Sequence, residues 1–422
     1  MKTMKSLCGM LAVLAFTACS NDSDEATGSD NHIWHVTLTV SMGDATHRAL
    51  SADGENIAAS FAVDDEVVVV DADGSTVVGT LKAQTAGGST TLSGDLSNKS
   101  LGDNEVVSLH YLSATPNYDG QKGTLAEISS YAKGTLTVKT VTPLTFESTS
   151  VTLAPQQSIT KFTFKDGSSD INVKTFGIAA PGLVQKGTAT VGAVTGTLAT
   201  PSADVYVALR NTSSSQQTYS FYIQDNTGNW YTGTKKATLT NGKNYTATVS
   251  MTKLSDELTS SSTEGTVGVI GNLPAIVIDL DGTIGKKAVA LMNTGALCPE
   301  HYGKYYTFAD LSLLGLPTGW YVPSQDEFDA LVVKTNAWVT QNGVAGRQYT
   351  IVTGKTLFFP AAGYDNDFAQ DWFDVTTLGY YWSLTSVSTE YGHCYSFSSA
   401  INNTNSHDKA DGLTVRPFHS LP

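Results

Sequence analysis

The stretch His35-Val36-Thr37-Leu38-Thr39-Val40 alternates polar and apolar residues with a period of two. Successive side chains of a strand point to opposite faces, so this pattern makes a half-buried β-strand. Downstream, Phe61-Ala62-Val63 leads into Asp64-Asp65, and Val67 to Val70 runs into Asp71-Ala72-Asp73-Gly74, a hairpin signal. Val77 to Leu81, Ser89 to Leu92 and Val106 to Leu112 read as further strands, and no long stretch carries a helical period. Residues 33–143 therefore predict a first β-sandwich.

The same signals continue. Val151 to Leu153, Ile159 to Phe164, Val205 to Leu209, Thr218 to Ile223 and Tyr245 to Met251 alternate or are β-branched, and Gly182, Gly187, Gly192 and Gly196 punctuate the middle. Residues 144–253 predict a second sandwich. Residues 254–265 (LSDELTSSSTEG) have linker composition. Over 266–422 the composition shifts: Trp320, Trp338, Trp372 and Trp382 lie here. Ser324-Gln325-Asp326-Glu327 begins a helix through Val332, with Ser324 and Glu327 spaced as a capping box and Phe328, Leu331 and Val332 on one face. A second helix is predicted over Tyr305 to Leu311. This third region reads as an α+β domain, giving a mainly β chain overall.

The chain has 422 residues and a formal net charge of −14, with 15% charged residues. A nucleic-acid partner would need a basic face, which this balance argues against. Residues 1–18 form a leader: Lys2 and Lys5, then an apolar run from Leu7 to Phe16, too short for a membrane-spanning helix, which needs about 20 residues. Ala15-Phe16-Thr17-Ala18-Cys19 forms a lipobox with a bulky Phe16. Acylation of Cys19 would anchor the chain, since several acyl chains hold a protein stably at a membrane. Residues 19–32 form an acidic tether that resembles the surface-export signal of Bacteroidetes lipoproteins, implying display on the outer membrane.

Two family resemblances follow from particular residues. Thr46-His47-Arg48-Ala49-Leu50, Phe61-Ala62-Val63-Asp64-Asp65, Val78-Gly79-Thr80-Leu81, Thr90-Thr91-Leu92-Ser93-Gly94 and Asn241-Gly242-Lys243-Asn244-Tyr245 together resemble the fimbrillin-like (Mfa-like) pilins. That resemblance implies two transthyretin-like sandwiches and proteolysis at Arg48-Ala49. It also implies removal of the His35–Val40 strand and its replacement by a strand from another pilin subunit. Ala290 to Ala296, Tyr302 to Phe308, Gly319 to Ser324, Phe358 to Tyr364, Gly379 to Ser383 and Val415-Arg416-Pro417 resemble the FISUMP family. This second resemblance implies a C-type-lectin-like fold with long loops, without the usual calcium-binding triplets.

Several constellations carry chemistry on paper. Asp279-Leu280-Asp281-Gly282-Thr283 matches the first motif of haloacid-dehalogenase phosphatases, yet no α/β alternation follows it, so Asp281-Gly282 reads as a hairpin turn and the chain as no enzyme. Asp365-Asn366-Asp367 with Asp371 lacks a full calcium ligand ladder. Tyr364, Trp372, Asp365 and Asp367 are the candidate ligand contacts. Cys298 and Cys394 could pair or remain buried free thiols, and their neighbours His301 and His393 lack zinc-ligand spacing. No metal or cofactor is expected. The function implied is a lipid-anchored fimbrial subunit at a tip or minor position, with an adhesive C-terminal region. The alternative is a monomeric surface lipoprotein binding glycan or host protein through that region.

Overall fold

The computed structural model describes residues 32–43, 52–53, 56–57, 60–74, 76–187, 192–254, 257–280, 283–366 and 372–421. The leader, Cys19, Arg48, Ala49, Asp281 and Asp367 lie outside them. The fold is mainly β. The described residues divide into two compact units: those within 1–43, 60–114 and 132–154, and those within 44–59, 115–131 and 155–422.

The first unit holds β1 (Ile33–Met42), β2 (Glu66–Val70), β3 (Val77–Ala83), β4 (Ser89–Ser97), β5 (Val106–Tyr111), β6 (Ala132–Val141), β7 (Leu144–Phe146) and β8 (Ser150–Pro155). They form one sheet in the order β8-β1-β4-β3-β2-β5-β6-β7, and β8 also pairs with β6. That extra pairing closes seven strands into a ring, so the unit is barrel-like where the sequence suggested a two-sheet sandwich. Its core is Val36, Leu38, Val40, Phe61, Val67, Val69, Leu81, Leu92, Leu109 and their neighbours. Asp65, from the Phe61–Asp65 segment, is buried because it has work for both local partners: it accepts from the Ala62 amide (2.7 Å) and the Tyr111 hydroxyl (2.6 Å). The boundary read at 143/144 falls elsewhere. β8 closes the first ring and β7 extends its sheet beyond β6, while 115–131 belongs with the second unit. Periodicity marks strands but not which sheet they join.

In the second unit, β9 (Ser158–Asp166), β10 (Val173–Ala179), β11 (Leu183–Val184), β12 (Ala193–Ser202), β13 (Asp204–Asn211), β14 (Gln217–Asp225), β15 (Trp230–Ala237) and β16 (Asn244–Lys253) form a sheet ordered β11-β13-β9-β16-β15-β14-β10-β12. β9 and β16 run parallel; the other pairs along this order are antiparallel. Gly196 on β12 lets Phe176 and the strap at Gln121 approach: a Cβ there would fall 2.2 Å from the Phe176 ring.

The same unit continues through β17 (Val267–Ile270), β18 (Leu273–Asp279), β19 (Lys286–Ala290), β20 (Trp320–Tyr321), α1 (Gln325–Val332), β21 (Asn336–Gln341), β22 (Val344–Val352), β23 (Lys355–Pro360), β24 (Tyr364–Asp365), β25 (Trp372–Phe373), β26 (Gly379–Ser386), β27 (Tyr391–Phe397), β28 (Asn402–Asp408) and β29 (Phe418–Ser420). β29 sits inside a five-stranded sheet, between β19 and β20. α1 starts as its sequence predicts: the Glu327 amide donates to Ser324 Oγ (3.3 Å) and the Ser324 amide to Glu327 Oε2 (2.8 Å). The helix predicted over 305–311 is instead an extended Tyr306, bridged to Leu413, and a short 3-10 turn at Ala309–Leu313. Thr307 and Asp310 bond each other's side chain and backbone, which fixes the entry to that turn.

Candidate functional site

β1 is the first candidate. It pairs antiparallel with β4 over nine residues, Ile33 opposite Ser97 through Ser41 opposite Ser89. On its other side Thr39 to Met42 run parallel to Ser150 to Leu153. Trp34, Val36, Leu38 and Val40 point into the core, and Val40 is fully buried. The outward His35 reaches Asp95 (2.8 Å) and Ser93 (2.9 Å) on β4. The strand thus has a partner on each edge and its apolar face inside. Arg48 and Ala49, the proposed cleavage pair, lie outside the described residues.

The second candidate is the surface around β24. Tyr364 is half-buried, stacked on Phe373 at 5.5 Å, with Tyr380 and His407 edge-on to it. Phe373 is 41% exposed. Asp365 does not serve as an exposed contact: it is buried, and its backbone bonds Gly412 in both directions. The period of two explains this, because Tyr364 and its neighbour must face opposite ways. Trp372 pairs with Asp365 through the backbone; its side chain, like Asp367, is outside the description.

Cys298 and Cys394 are both free and buried, in separate apolar clusters. Burial pushes the Cys394 thiol up to about 12 and raises Cys298 as well, so neither supplies a thiolate at neutral pH. Asp279 ends β18, whose neighbours β17 and β19 both run antiparallel to it. The parallel sheet that a haloacid-dehalogenase site requires is not what surrounds it.

The pieces that carried the C-terminal resemblance converge on one buried cation. Arg416 donates to Asn293 Oδ1 (2.8 Å), the Ala290 carbonyl (3.0 Å) and the Phe358 carbonyl (3.0 Å), and lies over the Phe359 ring. Burial lowers its pKa to about 10. Asn293 in turn donates to the Tyr302 carbonyl and the Tyr381 hydroxyl. Those motif residues therefore hold the frame together; they are not a binding surface.

The sequence reading missed a polar network on 119–342. His301 lies 3.0 Å from Asp119 and 2.6 Å from Gln185, and its Nδ1 accepts from the Gly303 amide. Burial would raise Asp119, but hydrogen bonds and charge from His301, with two bonds from Thr195, outweigh it and hold the carboxyl at about 2. Glu300 is fully buried; Oε1 accepts from Gln341 (2.8 Å) and Asn342 (2.7 Å), while Oε2 has no partner among the described residues. No local sequence signal marked it, because the burial of the run from Cys298 to Tyr302 is set by the fold.

One stretch matches a known family. A model described as a domain of unknown function (DUF8237) covers residues 333–418, from the end of α1 into β29. No curated protein sequence matches this chain. Among solved structures, the tip fimbrial protein Mfa3 from Porphyromonas gingivalis is similar at 11% identity, over 52% of this chain and 99% of that one, with a TM-score of 0.26. A fimbrial assembly protein from Parabacteroides distasonis is 12% identical over 59% of this chain and 96% of its own, TM-score 0.27. The shaft pilin spaA from Lactobacillus rhamnosus GG is 12% identical over 53% and 98%, TM-score 0.24. At these scores the likenesses carry no argument about this chain.

Proposed function

We propose that this chain is a lipid-anchored, cell-surface fimbrial subunit of tip or minor-pilin type. It would assemble by strand exchange after cleavage at Arg48-Ala49 and present its C-terminal region as an adhesive surface. The observation that carries the reading is the seat of β1. Burying four side chains such as Trp34, Val36, Leu38 and Val40 contributes roughly 6–12 kcal/mol as an upper estimate. That is comparable to the whole stability of a domain, about 5–15 kcal/mol. A vacated seat would expose β4 and β8 edges together with an open core, so an incoming strand of the same alternation is strongly favoured. Cys19 supplies the anchor, and other pilin subunits are the partners.

The test is cleavage of the purified protein with an arginine-specific protease, followed by addition of a labelled peptide bearing residues 33–42. Cleavage after Arg48 with uptake of the peptide is the expected result. Intact Arg48-Ala49, or nicked protein that keeps β1 and takes no peptide, would sink the assembly reading.

A second reading, a monomeric surface lipoprotein binding glycan or host protein, draws on the Tyr364–Phe373 stack with its exposed ring. A Phe373→Ala change that abolishes retention on a glycan array, in cells without filaments, would favour it.

A further inference from the structure

A pocket of about 360 Å³ opens in the second unit between the end of β14, the start of β15 and two loops of the C-terminal region. Its walls are Trp230, Met292, Leu297, Leu314, Leu316 and Pro317, closed by short backbone segments around 272–274 and 293–296. The volume is at the lower end of small-molecule sites, about 300–1,000 Å³. None of its lining residues is charged. Arg416 stands behind one wall with its guanidinium already bonded to Asn293 and the Ala290 carbonyl, and Lys253 and Glu257 line an adjoining cleft that shares Trp230 and Asn272. The Trp230 indole N–H donates to the Asn272 carbonyl (2.9 Å), which fixes that partition.

The polar atoms in the wall divide into used and unused. Asn293 spends its amide on Tyr302, Tyr381 and Arg416. Gln224 uses Nε2 on the Gly228 carbonyl (3.3 Å), and its Oε1 accepts no hydrogen bond among the described residues. Thr294 Oγ1 is shielded from solvent and has no partner among the described residues. An apolar wall, no charge, and a carbonyl oxygen left to accept make a site for a neutral ring carrying a donor. A charged ligand would lose its hydration with nothing to replace it.

We propose that this pocket binds an uncharged aromatic or alicyclic small molecule with a hydrogen-bond donor, seated between Trp230, Met292 and Leu316. This is independent of how the first unit assembles. The occupant is small because the pocket is half-enclosed and bounded on the charged side by the Trp230–Asn272 partition.

The test uses the full chain with four probes of similar size: indole and p-cresol as neutral donors, benzoate as an anion and benzylamine as a cation. Binding is followed by NMR at the Met292 methyl and the Trp230 indole N–H. Expected is saturable binding of indole and p-cresol, at least tenfold tighter than either charged probe, with shifts centred on those two groups. Leu316→Asp, on the half-buried wall, should weaken indole at least tenfold. Benzoate or benzylamine matching indole on the unaltered chain would overturn the proposal. So would saturating indole that leaves Met292 and Trp230 unshifted, a result that needs no variant to fold.

Discussion

Replacing Glu300 by Gln should stabilise the second unit at neutral pH and leave it unchanged in acid. Glu300 is completely buried, with no cation among its hydrogen-bond partners. Burial pushes its pKa above the ordinary 4.5, against the pull of the Gln341 and Asn342 amides. Tyr222 and Cys298 are close enough that the Glu300 charge raises both. An acid whose pKa is raised by folding costs nothing below its unfolded value. The cost grows as pH rises from there towards the folded value and is constant above it. A tenfold tighter hold on the proton in the folded chain corresponds to about 1.4 kcal/mol of penalty above the folded value. Glutamine keeps the oxygen that accepts from Gln341 and Asn342. The neutral acid places one O–H donor and the amide two N–H donors where Oε2 has no partner among the described residues, so proton uptake is the difference between them that varies with pH. Urea unfolding at pH 7 should therefore show Glu300→Gln the more stable, by about 1 kcal/mol, with the gain vanishing by pH 4.5. A gain that does not change with pH, or a less stable variant at pH 7, would refute the reasoning.

Asp119 gives the opposite sign. Held at about 2 against an ordinary 3.8, it contributes stability that is present above 3.8 and lost as pH falls towards 2. Asp119→Asn should flatten that part of an acid-unfolding curve, and an unaltered curve would show that the His301 contact is idle. Leu38→Ala, in the middle of β1, should cost about 2–5 kcal/mol in chemical denaturation of the first unit, because the fully paired strand cannot collapse into the cavity. Ser324→Ala should cost about 0.5–2 kcal/mol by thermal unfolding through loss of the α1 cap, and Ser324→Asp should restore most of it.

Local chemistry was legible and partnership was not. The alternation of β1 fixed both its conformation and its inward face, and Ser324 with Glu327 announced where α1 begins, because each signal is complete within a few residues. Val151 to Leu153 was equally legible as a strand. Its partners, β1 more than a hundred residues earlier and β6 just before it, are set by closure of the ring, and nothing local encodes that. The candidate sites divide in the same way. Tyr364 and Asp365 looked alike as acidic-loop neighbours, yet one strand reversal of facing buries the second. The residues most distinctive in the C-terminal sequence, Asn293, Phe358 and Arg416, sit far apart in the chain and meet only in the fold, where a fully buried guanidinium needs every one of its acceptors. Distinctiveness there records the cost of burying a charge. It follows that exposed, unremarkable positions such as Phe373, and the neutral wall at Leu316, are the better places to look for a ligand.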